Sequence, residues 1–276
     1  MADAPLLELR ELVVEYPQRG RHRSMRAVDG VSFVVRPGET VGLVGESGSG
    51  KTSIGAAVVG LAPVSGGAVI FDGEDISHAS AARRRALSAE IQVIFQDPYS
   101  SLNPVRMVGQ TLAEPLLVHR RLGKAEVAAQ VRQMLARVGL DASAADRYPA
   151  QFSGGQRQRI AIARALMISP RLVICDEAVS ALDLSVQAQI LNLLLELQQE
   201  LSLSYLFISH DLDVVRHMAD RIVVLHRGKV METGDAHEVY DTPSHPYTRA
   251  LLAAVPLPHP EMQAERRAER LRMAAQ

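Results

Sequence analysis

The first third of the chain alternates short runs of branched and aromatic residues with turn residues. Four such runs are bounded by Gly, Pro or Asp: Leu6–Tyr16, Val31–Val35, Thr40–Val44 and Ala68–Phe71. β-Branched and aromatic residues favour strands, whereas the bounding residues favour turns. The pattern therefore predicts a mixed sheet with hairpins in this part of the chain.

The middle of the chain changes to a helical pattern. After one more apolar run, Ile91–Phe95, a proline-containing segment leads into two stretches, Gln110–Val118 and Ala125–Val138, whose apolar residues recur at helical spacing. That spacing places them on one face of a helix. We therefore predict a helical insertion between two strand-rich parts.

Three later runs lack any alternation of polar and apolar residues: Leu172–Cys175, Tyr205–Ile208 and Ile222–Leu225. Continuous apolar runs are typical of parallel strands that are covered on both faces. Between the first two, apolar residues at helical spacing from Val186 to Leu201 predict a helix with one buried face. Strand, helix and strand are the repeating unit of an α/β fold with a mainly parallel sheet.

Composition narrows the possible partners. The 276 residues include 30 Lys and Arg and 31 Asp and Glu, so no positive excess favours binding to nucleic acid. The single cysteine, Cys175, is predicted to be a buried strand residue. No apolar run reaches the roughly 18 residues that a membrane-spanning helix needs, and no basic segment followed by an apolar one begins the chain. We therefore expect a protein that is neither secreted nor inserted in a membrane.

The strongest local motif is a phosphate-binding loop between a predicted strand and a predicted helix that begins at Ser53. Its residues are Gly45, Glu46, Ser47, Gly48, Ser49, Gly50, Lys51 and Thr52. Glycines let main-chain N–H groups surround a phosphate, and the start of a helix adds positive potential. The Lys51 ammonium can reach the outer phosphates, and the Thr52 hydroxyl can bind Mg²⁺. The motif predicts nucleoside triphosphate binding without saying what the energy is used for.

Polar side chains follow two of the later strands. Asp176 and Glu177 end the run that starts at Leu172, and His210 follows the run that ends at Ile208. After a phosphate-binding loop, we interpret Asp176 as a Mg²⁺ ligand and Glu177 as the residue that orients or deprotonates an attacking water. A helix cap or a solvated loop is the alternative for the paired acids. His210 is placed to sense the terminal phosphate, and no histidine has metal-ligand spacing typical of zinc.

A second helix start carries features of an anion site. Ser153 is a good N-cap residue, and Gly154, Gly155 and Gln156 follow it. The segment from Phe152 to Leu166 resembles the signature sequence of ATP-binding cassette (ABC) ATPases, and the resemblance extends from about Leu6 to Gly234. It implies that two subunits enclose two ATP molecules, each offering its signature to the nucleotide of the other. A plain helix cap is the alternative.

The resemblance also assigns further residues. Gln96 matches the glutamine that reaches Mg²⁺ and the water, Asp183 the dimer-contact loop, His210 the switch histidine and Tyr16 the aromatic residue that stacks on adenine. For Tyr16 a packing role is the alternative. The implied fold is an α/β P-loop NTPase core with a mainly parallel sheet, an antiparallel β subdomain and an inserted helical subdomain.

The implied domain boundaries follow the change in pattern. We predict an ABC ATPase domain over residues 1–235, with a core of 1–96 and 167–235 and a helical subdomain of about 97–166. Residues 236–276, which carry five prolines ahead of a charged tail, are predicted to be an appended extension. The tail, Glu261–Gln276, is expected to be a solvated helix or disordered.

Two segments resemble the branch of the family that imports oligopeptides, dipeptides or nickel. Gln96–Pro104 is similar to its extended glutamine loop, and Ser244–Leu252 to its C-terminal extension. The favoured cargo is therefore a peptide, with nickel or another small solute as the alternative. We expect ATP and Mg²⁺ but no iron–sulfur cluster, because no cysteine follows Cys175.

The resemblance implies a set of partners on the cytoplasmic face of the inner membrane. They are a second ATPase subunit, either a non-identical sibling or another copy of this chain, two transmembrane permease subunits and, indirectly, an extracytoplasmic solute-binding protein. About a hundred residues separate Lys51 from Ser153, too few for the long coiled coil of DNA-repair relatives. A non-transport P-loop ATPase, a kinase or a regulator that binds ATP without cleaving it are the other classes.

Overall fold

The computed structural model describes residues 4–17, 24–97 and 102–254. Contacts along the chain divide them into two compact units. The described residues of 7–35, 40–77 and 207–254 form one unit, here called the P-loop unit. Those of 4–6, 36–39 and 78–206 form the other, here called the signature unit.

Ten strands are present in the described residues. They are β1 (Leu7–Pro17), β2 (Ser24–Val35), β3 (Thr40–Val44), β4 (Val64–Phe71), β5 (Glu74–Asp75), β6 (Ile91–Ile94), β7 (Leu172–Asp176), β8 (Ser204–Ser209), β9 (Arg221–His226) and β10 (Lys229–Asp235). Nine α-helices are described in the same ranges. They are α1 (Lys51–Val58), α2 (Ala81–Leu87), α3 (Val108–His119), α4 (Lys124–Arg137), α5 (Gly154–Leu166), α6 (Leu184–Leu201), α7 (Leu212–Met218), α8 (Ala236–Asp241) and α9 (Pro246–Ala253).

The P-loop unit contains an antiparallel sheet with the strand order β2-β1-β4-β5. Strand β1 pairs with both β2 and β4, and register shifts mark bulges on each side. The inward residues of these strands, such as Leu7, Leu9 and Phe71, are almost wholly buried. Burying one such side chain contributes roughly 1.5–3 kcal/mol. The predicted strands and hairpins of the first third are therefore present.

The same unit also contains strands β10-β9-β3-β8, in that order. Strand β3 is parallel to β9, and β10 returns antiparallel to β9. All five residues of β3 are buried. This burial on both faces fixes the strand that leads into the phosphate-binding loop.

The boundary between the units falls within β8, so part of this strand belongs to each unit. In the signature unit the strand order is β8-β7-β6. Strands β6 and β7 are parallel, and β7 is buried except at its last residue. Helix α6 buries Ile190, Leu194 and Leu197, and the Tyr205 hydroxyl of β8 donates a hydrogen bond of 2.9 Å to the carbonyl of Leu194. The continuous apolar runs thus form covered strands, as predicted.

Several details differ from the sequence pattern. Helix α3 begins at Val108, earlier than the periodicity indicates, and continues through Pro115. Helices α2, α7, α8 and α9 and strand β10 carry no strong periodicity of their own. Cys175 is buried, and burial raises the pKa of its thiol, which fits the predicted packing role. The predicted tail, 261–276, lies outside the described residues.

Candidate functional site

The phosphate-binding loop leaves β3 at Val44 and enters α1 at Lys51. Gly45, Gly48 and Gly50 all have positive φ angles, of 152°, 79° and 106°, which side chains with a Cβ rarely adopt. Glu46, Ser47 and Gly48 are exposed, whereas Ser49 is buried. The sequence spacing of glycines therefore matches the backbone path that the loop takes.

Lys51 is held at the start of α1 and is only 5% exposed. Its Nζ donates hydrogen bonds to the carbonyl oxygens of Gly45, at 2.7 Å, and Glu46, at 2.9 Å. Thr52, the next residue, is exposed. The ammonium thus lies over the first turn of the loop, where it contributes positive charge beside the N-terminus of α1.

The loop is braced by the turn between β9 and β10. A Cβ added to Gly45 would lie 2.2 Å from the carbonyl oxygen of Leu225. The N–H of Gly228 donates a 2.9 Å hydrogen bond to the carbonyl of Ser49. On the β2 side, a Cβ on Gly50 would lie 2.4 Å from the carbonyl oxygen of Ala27. The glycines are therefore required by close backbone packing as well as by φ.

Two further predicted residues belong to the P-loop unit. The Tyr16 hydroxyl donates a 3.3 Å hydrogen bond to the Ser53 Oγ in the first turn of α1, so this half-buried tyrosine has a packing contact. Its role at adenine stays a prediction. His210 is exposed directly after β8, the strand beside β3. The next residue, Asp211, caps α7 by accepting from the N–H groups of Asp213 and Val214.

The signature unit brings Gln96, Asp176 and Glu177 to one edge of its sheet. The parallel register pairs Ile94 with Cys175, so Gln96 and Glu177 each follow by two residues at the carboxyl ends of β6 and β7. Gln96 is exposed, and the two acids are half-buried. Amide and carboxylate oxygens such as those of Gln96 and Asp176 are ligands that Mg²⁺ accepts, so the donors at this edge of the signature unit fit the predicted metal.

Glu177 has a φ of 50°, in the left-handed region that non-glycine residues seldom occupy. Its carbonyl accepts hydrogen bonds from the N–H of Ser180, at 3.1 Å, and from the Ser180 hydroxyl, at 3.0 Å. Such backbone conformations cost about 1–3 kcal/mol and persist where the surroundings fix them. The turn therefore holds the backbone of Glu177 in one conformation at the end of β7.

The predicted cap at Ser153 is present. Its Oγ accepts from the N–H of Gln156 at 3.3 Å, and the Gln156 Oε1 accepts from the N–H of Ser153 at 3.0 Å. The two side chains thus form a capping box at the start of α5. Both residues are exposed, so a ligand that approaches this helix start can reach the cap.

The start of α6 packs against the start of α5. A Cβ on Gly155 would lie 2.4 Å from the Val186 Cγ1, whereas one on Gly154 would meet its nearest neighbour, Leu182, at 3.8 Å. Asp183 caps α6 by accepting from the N–H of Val186 at 3.0 Å, and this hydrogen bond and that from Ser185 lower the pKa of its carboxyl. Within one chain, therefore, the predicted dimer-contact residue Asp183 has a capping role beside the signature.

Some residues around these sites were not predicted from the sequence. Gln158, one turn into α5, is fully buried, and neither polar atom of its amide has a hydrogen-bond partner in the described ranges. Val186 was predicted only as part of an apolar face. The Arg227-Gly228 pair is a recognisable turn signal, but nothing local links it to the phosphate-binding loop.

The described residues contain neither a cluster of metal ligands nor a membrane-spanning helix. No group of three or more His, Cys, Asp or Glu residues in these ranges is arranged to hold a metal ion. No helix among them is long and apolar enough to cross a bilayer.

Comparison with sequence families gives two matches. A family described as "ABC transporter" matches residues 28–180. A second, described as "Oligopeptide/dipeptide transporter, C-terminal region", matches residues 231–275.

Curated relatives are close in sequence. The glutathione import ATP-binding protein GsiA of Escherichia coli (strain K12) is 49% identical over 268 residues, which are 95% of this chain and 43% of GsiA. The oligopeptide transport ATP-binding protein AppF of Bacillus subtilis (strain 168) is 50% identical over 258 residues, 91% of this chain and 78% of AppF. The chain thus spans less than half the length of the glutathione relatives it matches.

Solved structures share the fold. A dimeric post-hydrolysis state of the ATP-binding cassette MJ0796, bound to ADP and Pi, has a TM-score of 0.75 at 27% identity and covers 83% of this chain and 98% of its own. CbiO1 of Clostridium perfringens, part of the ABC transporter complex cbiONQ, has a TM-score of 0.77 at 28% identity and covers 87% and 92%. These likenesses confirm the predicted α/β P-loop NTPase fold. The chain therefore belongs to the ABC transporter family, as an ATP-binding domain followed by the C-terminal region of oligopeptide/dipeptide transporters.

Proposed function

We propose that this chain hydrolyses ATP to power an importer of oligopeptides or dipeptides. The observation that carries the proposal is the presence of two separate anion-type helix starts in one chain, at Lys51 and at Ser153. A single nucleotide needs one phosphate-binding loop, so the second helix start suits a nucleotide held by another subunit. The relatives' names and the C-terminal match at 231–275 support the peptide cargo.

In this mechanism the P-loop residues Gly45–Ser53 bind the triphosphate through main-chain N–H groups and the Lys51 ammonium. Thr52, Gln96 and Asp176 would hold Mg²⁺, which would supply positive charge to the phosphate oxygens. Tyr16 supports the adenine. Each group acts on the nucleotide by position and charge, which is how phosphoryl transfer is accelerated in P-loop enzymes.

Glu177 is the proposed general base, or the residue that orients the attacking water, and His210 contacts the terminal phosphate. Ser153, Gly154, Gly155 and Gln156 of one subunit complete the site of the other, and Asp183 lies at the same seam. ATP closes the pair of subunits because it binds the closed state more tightly than the open one. Hydrolysis removes that preference and reopens the pair.

A Glu177→Gln variant tests the enzymatic part. We expect its hydrolysis rate to fall by about 10²–10⁴ while nucleotide affinity is retained, because the positioned base is lost and the binding groups are not. The variant should also form ATP-dependent dimers, measured by light scattering. Glu196→Gln, which changes an exposed acid on α6, is the matched control and should hydrolyse ATP normally.

The outcomes separate the parts of the proposal. Normal turnover by Glu177→Gln would remove Glu177 from the mechanism. Failure of the wild-type chain to bind ATP would overturn the function itself.

The proposed partners are a second ATPase subunit, either a sibling or another copy, and two permease subunits on the cytoplasmic face of the membrane, with a solute-binding protein outside. A groove of about 410 Å³ in the described residues of the signature unit is the proposed docking place for a permease helix. Its apolar lining includes Leu117, Leu122, Val127 and Val131. Leu117 is 64% exposed, so its side chain is accessible to a partner.

Substitution within this groove tests the docking. We expect Leu117→Asp to abolish transport by the assembled importer while ATP hydrolysis by the isolated subunit is unchanged. Leu61→Asp, at another exposed leucine in the P-loop unit, is the control and should transport normally. Normal transport by Leu117→Asp would exclude this groove as the docking place.

The cargo needs a separate measurement. The ligand of the associated solute-binding protein would decide between peptide, nickel and another solute.

A further inference from the structure

The C-terminal segment of the P-loop unit, Ser244–Ala253, is anchored by one carboxylate. Glu232 accepts hydrogen bonds from the N–H and the Oγ of Ser244, both at 2.7 Å, and from the N–H of His245 at 3.1 Å. The His245 Nδ1 in turn accepts from the N–H of Tyr247, at 3.1 Å, and caps α9. These contacts fix the position of Tyr247 at the first turn of the helix.

From this position, the Tyr247 ring packs on His226 of strand β9. The two ring centroids are 4.1 Å apart, and the planes are inclined by 40°. His226 is the last residue of β9, directly before the turn Arg227–Gly228. Its neighbours contact the phosphate-binding loop through the close approach of Leu225 to Gly45 and the hydrogen bond from Gly228 to Ser49. The C-terminal segment therefore packs against the end of β9, next to the turn that supports the loop.

The tyrosine also meets the loop directly. Its hydroxyl oxygen is buried, without a well-formed hydrogen-bond partner in the described ranges, and it lies near the main chain of Glu46. Burial raises the pKa of Tyr247. The Glu46 main-chain N–H partly opposes this rise, and the negative charge of the Glu46 carboxylate adds a smaller rise. Glu46 is the residue whose carbonyl accepts from Lys51. One aromatic side chain thus packs on His226 beside the brace and lies near the loop.

We propose that Tyr247 is a positioning residue for the nucleotide loop, through which the C-terminal segment sets the affinity of the P-loop for a triphosphate. The proposal rests on the proposed nucleotide binding at Gly45–Ser53. A glycine-rich loop loses conformational freedom when it closes around phosphates, and a loop that is held in place before binding loses less. No substrate contact by Tyr247 is required.

The experiment measures the dissociation constant of MgADP for the purified full chain, together with hydrogen exchange of residues 45–52 without nucleotide. Tyr247→Ala should weaken MgADP binding by about tenfold, since immobilised side chains contribute on that scale to binding, and should speed exchange in the loop. Tyr247→Phe keeps the ring on His226 and loses only the hydroxyl, so it should lie between Tyr247→Ala and the wild type.

Tyr240→Ala is the matched control. Tyr240 is in the same C-terminal region but donates to Asp213 and lies under the Arg216 guanidinium, 4.3 Å from its ring centroid. Its removal should change thermal stability without changing MgADP affinity or loop exchange. This control separates a general loss of stability from a specific effect on the loop.

The inference is overturned if folded Tyr247→Ala binds MgADP within about twofold of the wild type and exchanges its loop amides equally slowly. If Tyr247→Ala does not fold, the same comparison is made between Tyr247→Phe, His226→Leu and the wild type, and unchanged affinity and exchange in both would overturn it. A wild-type chain that binds no nucleotide would contradict the proposed function instead. The loop exchange would then still decide the positioning role.

Discussion

The two helix starts that carry the candidate nucleotide contacts are built in opposite ways. Helix α1 follows Gly50, which has a left-handed conformation and supplies no side-chain cap. Helix α5 follows Ser153, which forms a capping box with Gln156. The first start depends on distant backbone contacts for its shape, whereas the second is satisfied by its own neighbouring side chains.

This difference explains what each start can do. A loop without a side-chain cap can offer its N–H groups to phosphate, but it needs outside support, which Leu225, Gly228 and Ala27 supply. A capped helix start is stable without a ligand. To contact a nucleotide, the Ser153 hydroxyl must share or give up the hydrogen bond that it accepts from the N–H of Gln156. The first suits firm binding, and the second suits a contact that forms and breaks.

The largest expected difference between the two regions is their tolerance of alanine. Gly45→Ala places a Cβ 2.2 Å from the Leu225 carbonyl oxygen at a φ of 152°. We therefore expect the unfolding free energy to fall by about 2–5 kcal/mol. We also expect nucleotide binding to be lost. Gly154→Ala meets nothing closer than 3.8 Å and should change stability by less than about 0.5 kcal/mol. Denaturant unfolding of both variants checks this, and equal losses would contradict the comparison.

The second prediction concerns packing behind the signature. Gly155→Ala should cost about 1–3 kcal/mol through overpacking against Val186 and should slow ATP hydrolysis. Because the conflict is with the Val186 Cγ1 at 2.4 Å, the second change Val186→Ala should restore much of both.

A double-mutant cycle on unfolding free energy measures the coupling. Additive losses in the double variant would mean that Gly155 is needed for another reason, such as close approach of a nucleotide.

The third prediction separates the cap at Ser153 from its proposed contact with nucleotide. Ser153→Ala should lose about 1 kcal/mol of stability with the cap. Ser153→Asp should keep stability, because Asp is as good an N-cap, yet its negative charge should repel a triphosphate and reduce ATP-dependent dimerisation. If Ser153→Asp dimerises with ATP as well as the wild type does, the signature does not meet phosphate there.

A comparably small effect, which declines further in acid, is expected at the anchor of the C-terminal segment. Burial alone would raise the pKa of Glu232, but the nearby Thr248 side chain and the hydrogen bonds from Ser244 and His245 outweigh it and lower the pKa. The folded pKa is then below the unfolded one, so the stabilisation is present above the unfolded value of about 4.3 and is lost as the pH falls through the folded value.

We therefore expect Glu232→Gln to cost about 1 kcal/mol at pH 7 and progressively less in acid. Unfolding free energies of both proteins across this range check the sign. A difference that does not change with pH would show that the Glu232 charge makes no net contribution.

Much of the fold was determined by the sequence because its signals are local. The run from Leu172 to Cys175 has no polar interruption and contains branched residues, which is typical of a covered strand. The spacing of glycines before Lys51 specifies the loop, and Ser153 ahead of two glycines specifies a helix start. Short elements such as α8 and β10 escaped prediction, because six or seven residues are too few to hold their own structure without tertiary contacts.

What only the tertiary structure decided are contacts between residues that are far apart in sequence. Gly45 meets Leu225 because strands β3 and β9 are neighbours. Tyr247 meets His226 because Glu232 of β10 anchors the residues just before α9. No local periodicity records which elements will be neighbours. Gly155 meets Val186 for a similar reason, since the path of the chain brings the starts of α5 and α6 together. The sequence thus determined which groups can bind phosphate, and packing determined which other residues hold those groups in place.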